Sequence, residues 1–234
     1  MNEVKTRKLA NSQTRYSILD TRYSILDTRY SILDTRYSIL DTTMNYLAHL
    51  YLSFGDEQHA IGNISADFIR GNEGIDKLPE GIQAGIRTHR LIDSFTDTHE
   101  VVKESKRRLY PLYSKYASVI VDIYYDHLLA QNWDTYSDES LEDFTKRNYD
   151  ILKKHEAYLP PKLKERLPSM IRHNWLIGYR HMEGIATTFH YFAKRIKSID
   201  ISQAHLQLEA DYDLYNDEFN RFFPELIQRV MDNG

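Results

Sequence analysis

The sequence has no cysteine. That excludes disulfides, thiolate nucleophiles and Cys-based zinc sites. No apolar run is long enough to cross a membrane. No continuous apolar core near the N-terminus reads as a secretory signal, so a cytoplasmic location is expected. Chain breakers are scarce, with 9 Gly and 6 Pro in 234 residues, while Tyr is abundant at 18. That balance fits a compact helical bundle with tyrosine rings inward and hydroxyls outward. Positive charge is also short: 30 Lys+Arg face 34 Asp+Glu, a net charge of −4. Residues 1–43 hold seven basic and five acidic residues, so the rest of the chain carries −6. Nucleic-acid binding needs a basic footprint that this body lacks.

The heptapeptide TRYSILD runs four times, from Thr14 to Asp41. A coiled coil would place Tyr23 at a, Leu26 at d, Asp27 at e and Arg29 at g. Against it, Thr, Ser, Tyr and Ile are middling or poor helix formers, and an Ile falls outside the seam. Four perfect copies read better as a duplicated upstream segment. The expectation is an N-terminal extension over residues 1–43, disordered or loosely helical, with the natural start at Met44 and one domain over 44–234.

From residue 44 onward helical periodicity dominates and strand alternation is hard to find, so the fold class expected is all-α. Apolar spacing marks a helix over Asn45–Phe54. Others are expected near 58–70, 79–98, 100–116, 117–132 and 138–156, the last capped by Ser137 or Asp138. Pro160–Pro161 ends it. Segments near 162–173, 174–183, 184–197 and 202–222 follow, with a kink at Phe222–Pro224. Pro111 conflicts with an unbroken helix over 100–116.

Histidine and aspartate concentrate in a few of these segments: His49, Asp67, the run His89, Asp93 and Asp97, and the run Asp122, Asp126 and His127, with His173 and His181 as weaker cases. His89 and Asp93 are four apart and share a helix face, as do Asp122 and Asp126. Asp122 lies in SVIVDIYYDHLL, which must be largely buried, where an ionised carboxylate is costly unless paired or metal-bound. Taken singly, each residue is explained by a core hydrogen bond or by an arginine such as Arg70, Arg87 or Arg90. Taken as a set on four helices, they point to a divalent cation, which removes the mutual repulsion of buried carboxylates. A mixed carboxylate and imidazole set suits Mn²⁺, Mg²⁺ or Fe²⁺ better than structural zinc. A separate stretch, VVKESKRRLYPLYSK, places Lys103, Lys106, Arg107, Arg108 and Lys115 on an acidic body. It is either a solvated helix face or a docking patch for an acidic partner.

The strings MNYLAHLYL, IGNISADFIRG, GIRTHRLIDSFTDTHEVVKESKRRL, VIVDIYYDHLLAQNW, NWLIGYRHMEGI and FNRFFPEL resemble, in order, the acyl-carrier-protein phosphodiesterase family. The resemblance runs from Met44 almost to the C-terminus. It implies an all-helical fold distantly related to the HD phosphohydrolases, and a divalent metal, typically Mn²⁺. It also implies hydrolysis of the phosphodiester joining 4′-phosphopantetheine to a serine of acyl carrier protein. Carried over by motif, the metal ligands would come from His49, Asp67, His89, Asp93, Asp122 and Asp126. Asp67, His127 and Arg90 would take part in catalysis, with His127 or His49 as general acid and Arg90 or Arg70 facing the phosphoryl oxygens. The chain departs from the HD name in reading Asp126-His127, and from many members of the family in having Asn174, not Asp, before Trp175. Two other readings stand beside this one: an HD-like phosphohydrolase on a nucleotide or other small phosphodiester, and a non-catalytic helical binding protein. The oligomeric state is not legible.

Overall fold

The structure, a computed structural model, describes residues 45–69, 71–72, 74–194, 196 and 198–233. The TRYSILD repeats, the start at Met44 and Arg70 lie outside the described residues. Among those described there is no strand. The order is α1 (Tyr46–Tyr51), α2 (Glu57–Ser65), α3 (Glu80–Thr98), α4 (Glu100–Tyr113), α5 (Ala117–Gln131) and α6 (Trp133–Tyr136), then α7 (Leu141–Lys154), α8 (Pro161–Arg172), α9 (Trp175–Gly178), α10 (Met182–Ala193), α11 (His205–Ala210) and α12 (Tyr212–Met231). None of the described helices is long and apolar enough to cross a membrane.

α5 is the central rod. Every residue from Ile123 to Ala130 is buried, so its sequence needs no polar face. α1 and α4 pack against it, with α10 and α12 also alongside. Aromatic rings fill the seam to α12: Tyr124 meets Tyr215 edge-on with centroids 5.1 Å apart, and Tyr125 meets Phe219 at 5.5 Å. The tyrosine hydroxyls do not all turn outward as expected. Tyr124 donates to the Ala204 carbonyl and Tyr125 pairs with Ser105, so buried hydroxyls are satisfied inside.

α2 and α3 approach unusually closely because each offers a glycine at the crossing. A Cβ on Gly62 would stand 2.0 Å from the Ile82 carbonyl oxygen, and one on Gly85 would stand 2.1 Å from that of His59. Those distances admit no side chain.

Several boundaries differ from the sequence expectation. α7 is capped by Ser140, not Ser137 or Asp138; its hydroxyl accepts from the Asp143 N–H at 3.0 Å. Pro111 sits inside the last turn of α4, and Pro224 sits inside α12 without ending it. Phe222, Phe223, Leu226 and Val230 are all buried, and their packing carries the helix past the missing N–H. The break falls earlier instead, at Asp211 between α11 and α12.

Candidate metal centre

Four pieces of chain converge at one end of the α2–α3 crossing. α1 brings His49, α2 brings Asn63, and the 3₁₀ turn Ala66–Phe68 that follows α2 brings Asp67. α3 brings His89 and, one turn on, Asp93.

The two imidazoles stack, with centroids 4.2 Å apart and planes 21° from parallel. One donor atom each from His49, His89 and Asp93 all lie within 4.8 Å of one another. His89 Nε2 is 3.0 Å from Asp67 Oδ1 and 3.1 Å from Asp93 Oδ2, and His49 Nε2 is 3.6 Å from Asp93 Oδ1. Both histidines are buried, whereas the Asp93 side chain is 45% exposed, so the group opens to solvent on its carboxylate side.

The tautomer of His49 is fixed from behind. Asn63 donates its amide to the His49 carbonyl at 2.7 Å and to Ser53 Oγ at 3.2 Å, which turns its oxygen toward the ring. His49 Nδ1 then donates to Asn63 Oδ1 at 2.7 Å. Nε2 then carries the lone pair, which accepts from the Asn45 amide at 3.2 Å, with Asp93 Oδ1 beyond it at 3.6 Å. Burial, and then the neighbouring His89, push the His49 imidazolium down to about 4 against the pull of Asp93 and Asp67, so the ring is neutral. For His89 burial also works against charge, but Asp93 and Asp67 outweigh it and push the imidazolium up to about 10. Its Nδ1 is buried with no hydrogen-bond partner among the described residues, so the polar engagement of that ring is on the Nε2 edge.

This donor set fits a divalent cation. One buried ring presents an oriented lone pair, and the other is held by a proton that two carboxylates demand. Nitrogen and carboxylate oxygen donors without sulfur match Mn²⁺, Mg²⁺ or Fe²⁺.

The remaining sequence candidates are placed elsewhere. Asp126 is 0% exposed, and its two oxygens accept the N–H groups of Leu47 at 3.0 Å and Ala48 at 2.9 Å. It caps α1 from a distance of 78 residues, in the place of Asn45, which makes no capping bond. Burial pushes its carboxyl well up, and the two backbone donors pull it back. Asp126 is therefore committed to positioning the helix that carries His49. Asp122, the residue expected to be buried, is partly exposed at its surface. Burial within the protein pushes its carboxyl up to about 8, with Lys106 pulling it down and Asp97, Asp93 and Asp67 adding to the rise. It is not one of the three residues whose donors converge.

His127 points to a different neighbourhood. Its Nδ1 donates to the Tyr179 carbonyl at 2.7 Å and its ring meets Tyr212 edge-on. Arg90 is exposed and donates to Asn72 Oδ1 at 2.7 Å and to the Gly71 carbonyl, clamping the loop after Asp67. Of the basic stretch, Lys106 is 4% exposed and pairs with Asp97 at 2.7 Å. Arg108 is spent on the buried Glu218 and on the face of Tyr215. Lys103 pairs with Glu100 at 2.9 Å, Arg107 is exposed, and Lys115 lies over the Tyr116 ring. The docking patch thus loses its two innermost members, because consecutive helical residues turn by about 100°. Sequence reading missed Asn63 altogether; an Asn in an otherwise apolar helix was the available signal. It also placed Lys106 on the surface. His59, His99 and His155 make separate pairs with Thr88, Glu225 and Glu57.

The family model described as acyl carrier protein phosphodiesterase matches residues 44–226. The chain is similar to the acyl carrier protein phosphodiesterase of Photorhabdus laumondii, 34% identical over 197 residues that cover 80% of this chain and 95% of the relative. It is also similar to those of Yersinia enterocolitica, at 31% with 81% and 98% covered, and Escherichia coli, at 30% with 80% and 97% covered. No solved structure matches. The match spans the helices that bring the histidines and carboxylates together, and the chain belongs to the acyl carrier protein phosphodiesterase family.

Proposed function

We propose that this protein is a metal-dependent hydrolase that removes 4′-phosphopantetheine from a holo-acyl carrier protein, with a divalent cation held by His49, His89, Asp93 and Asp67. The names of the family and of its relatives support the carrier-protein phosphodiester as substrate. The observation that carries the metal reading is the pair of stacked imidazoles whose Nε2 edges face Asp93. Mn²⁺ is the ion of choice for such a set, with Mg²⁺ and Fe²⁺ as the alternatives.

A bound divalent ion supplies Lewis acidity and, at neutral pH, access to hydroxide. In the overall reaction a water oxygen bonds to phosphorus, the bond from phosphorus to the serine oxygen breaks, and that oxygen takes a proton. The chain contributes order and charge. Asn63 holds His49 in one tautomer, and Asp126 holds α1 so that His49 reaches α3. Asp67 and Asp93 form the open rim by which a phosphodiester approaches. Burial and the neighbouring Asp97, Asp93 and Asp67 push the Asp122 carboxyl up to about 8, which weakens its repulsion toward that anion. His127 is bonded through Nδ1 to Tyr179 and lies against Tyr212, outside the His49, His89 and Asp93 group, so leaving-group protonation is not assigned to it.

The test is incubation of holo-carrier protein with the enzyme and Mn²⁺, followed by mass spectrometry. Loss of the phosphopantetheine arm, abolished by chelator, is the expected result. An intact arm beside cleavage of a small phosphodiester would assign the site to another substrate.

A further inference from the structure

Lys106 has an unusual situation for a residue of a basic-looking helix. Its ammonium is inside the protein, at 4% exposure, and its bonded partner, Asp97, has a side chain that is 63% exposed. Asp97 follows Asp93 by one turn on the same face of α3, so Lys106 stands next along the line that begins with His49 and His89. Asp122, from α5, also acts on Lys106. A lysine has three N–H donors. Among the described residues the one hydrogen bond of Lys106 uses one of them, from Nζ to Asp97 Oδ1 at 2.7 Å. A desolvated ammonium with spare donors favours further oxygen acceptors, preferably charged ones.

Neighbouring cations are otherwise engaged. Arg108 is bound to Glu218, and Arg90 is bound to the Gly71–Asn72 loop. Among the described residues, Lys106 is the basic side chain tied to this carboxylate line. A phosphodiester anion entering here meets Asp67, Asp93 and Asp97 first, and needs fixed positive charge to stay.

Building on the function proposed above, we propose that Lys106 is a phosphate-contacting residue of this site, its ammonium meeting a non-bridging phosphoryl oxygen while Asp97 keeps it aimed. Preorganised donors of this kind act where charge accumulates during phosphoryl transfer.

The experiment uses the full chain loaded with Mn²⁺ and reads two quantities. One is the affinity for inorganic phosphate by calorimetry; the other is kcat and KM on holo-carrier protein. Lys106→Met should weaken phosphate binding at least about tenfold and lower kcat about 10²-fold, the scale seen on removing one such donor. Mn²⁺ affinity should not fall. Lys106→Arg should recover most of the phosphate affinity. Lys106→Gln is the second neutral variant should Met disturb the fold, with helical circular dichroism as the check. A folded neutral variant that binds phosphate and turns over like the parent overturns the proposal, leaving Lys106 as a tie between α3 and α4. Parent protein that binds phosphate through Lys106 but leaves the carrier intact refutes the substrate and keeps the assignment.

Discussion

At the scale of single residues, Asp67 and Asp126 are both carboxylates near His49 and His89, yet their removal should read out differently. Asp67→Ala takes an oxygen from the edge of His89, so Mn²⁺ affinity should fall by more than the ~10–100-fold typical of outer-shell changes, with helical content kept. Asp126→Ala leaves the Leu47 and Ala48 N–H groups buried without acceptors, at about 1–3 kcal/mol each, and should appear first as a lower melting temperature. Equal effects of the two on metal and on melting would contradict this division. His89 yields a pH prediction. Burial opposes its charge, but Asp93 and Asp67 prevail and hold it near 10, so the metal-free ring is protonated at pH 7. A cation can take Nε2 only as that proton leaves. Mn²⁺ binding at neutral pH should release close to one proton, measurable by calorimetry in two buffers of different ionisation heat; a count of zero would remove His89 from the ligands. For metal-free stability the signs oppose. The raised pKa of His89 gives stability present below 6.5 and lost as pH rises toward 10, while the lowered pKa of His49 loses stability as pH falls from 6.5 toward 4. The raised Asp122 carboxyl likewise gives stability that is lost as pH rises toward 8, which offsets the His49 contribution below 6.5, so metal-free melting should fall as pH rises from 6.5 toward 10. The i,i+4 spacing of His89 and Asp93 was legible in the sequence, because a helix fixes it locally. That Asp122 and Asp126 serve different ends was not, because only the docking of α1 onto α5 shows which carboxylate meets a helix N-terminus.

At the scale of elements, the site depends on how closely α2 and α3 cross. Asn63 lies on α2, Asp67 just after it, and His89 one turn past Gly85 on α3. Gly85→Ala sets a methyl 2.1 Å from the His59 carbonyl oxygen, which no rotamer can relieve. The helices must part, at a cost of about 1–3 kcal/mol or more. The expected outcome is a lower urea midpoint together with weaker Mn²⁺ binding. An unchanged midpoint would mean that the crossing is looser than its geometry shows. Sequence periodicity located most of the helices, since each buries one face, but it could not see this contact. A glycine in a helical pattern reads as a mild local cost, and the backbone it faces belongs to another element. Proline misled for the converse reason: at Pro224 the burial of Phe222, Phe223 and Leu226 outweighs one lost hydrogen bond, and no local rule weighs the two.

At the scale of the whole molecule, residues 44–234 carry −6, and an acidic carrier would be repelled by their mean charge. Docking then depends on where exposed cations remain. The five basic residues of 103–115 looked like one patch because they are near in sequence, yet the helix distributes them. Lys103 and Arg107, four apart, share a face of α4, while Lys106 enters the carboxylate line and Arg108 enters the α12 seam. The same charge reversal should therefore do different things at neighbouring positions. Arg108→Glu would bury two carboxylates together, since Glu218 is 1% exposed, and breaking a buried pair in this way costs about 3–5 kcal/mol. That variant should melt early. Lys103→Glu with Arg107→Glu gives up the surface Lys103–Glu100 pair and otherwise changes solvent-facing charge, so the fold should lose no more than about 1 kcal/mol. KM for holo-carrier protein should rise several-fold while kcat holds, and added salt should raise KM in the parent but much less in the double variant, because screening acts on exposed charge across roughly 8–10 Å. If the double variant keeps both its KM and its salt response, the carrier is met by another face.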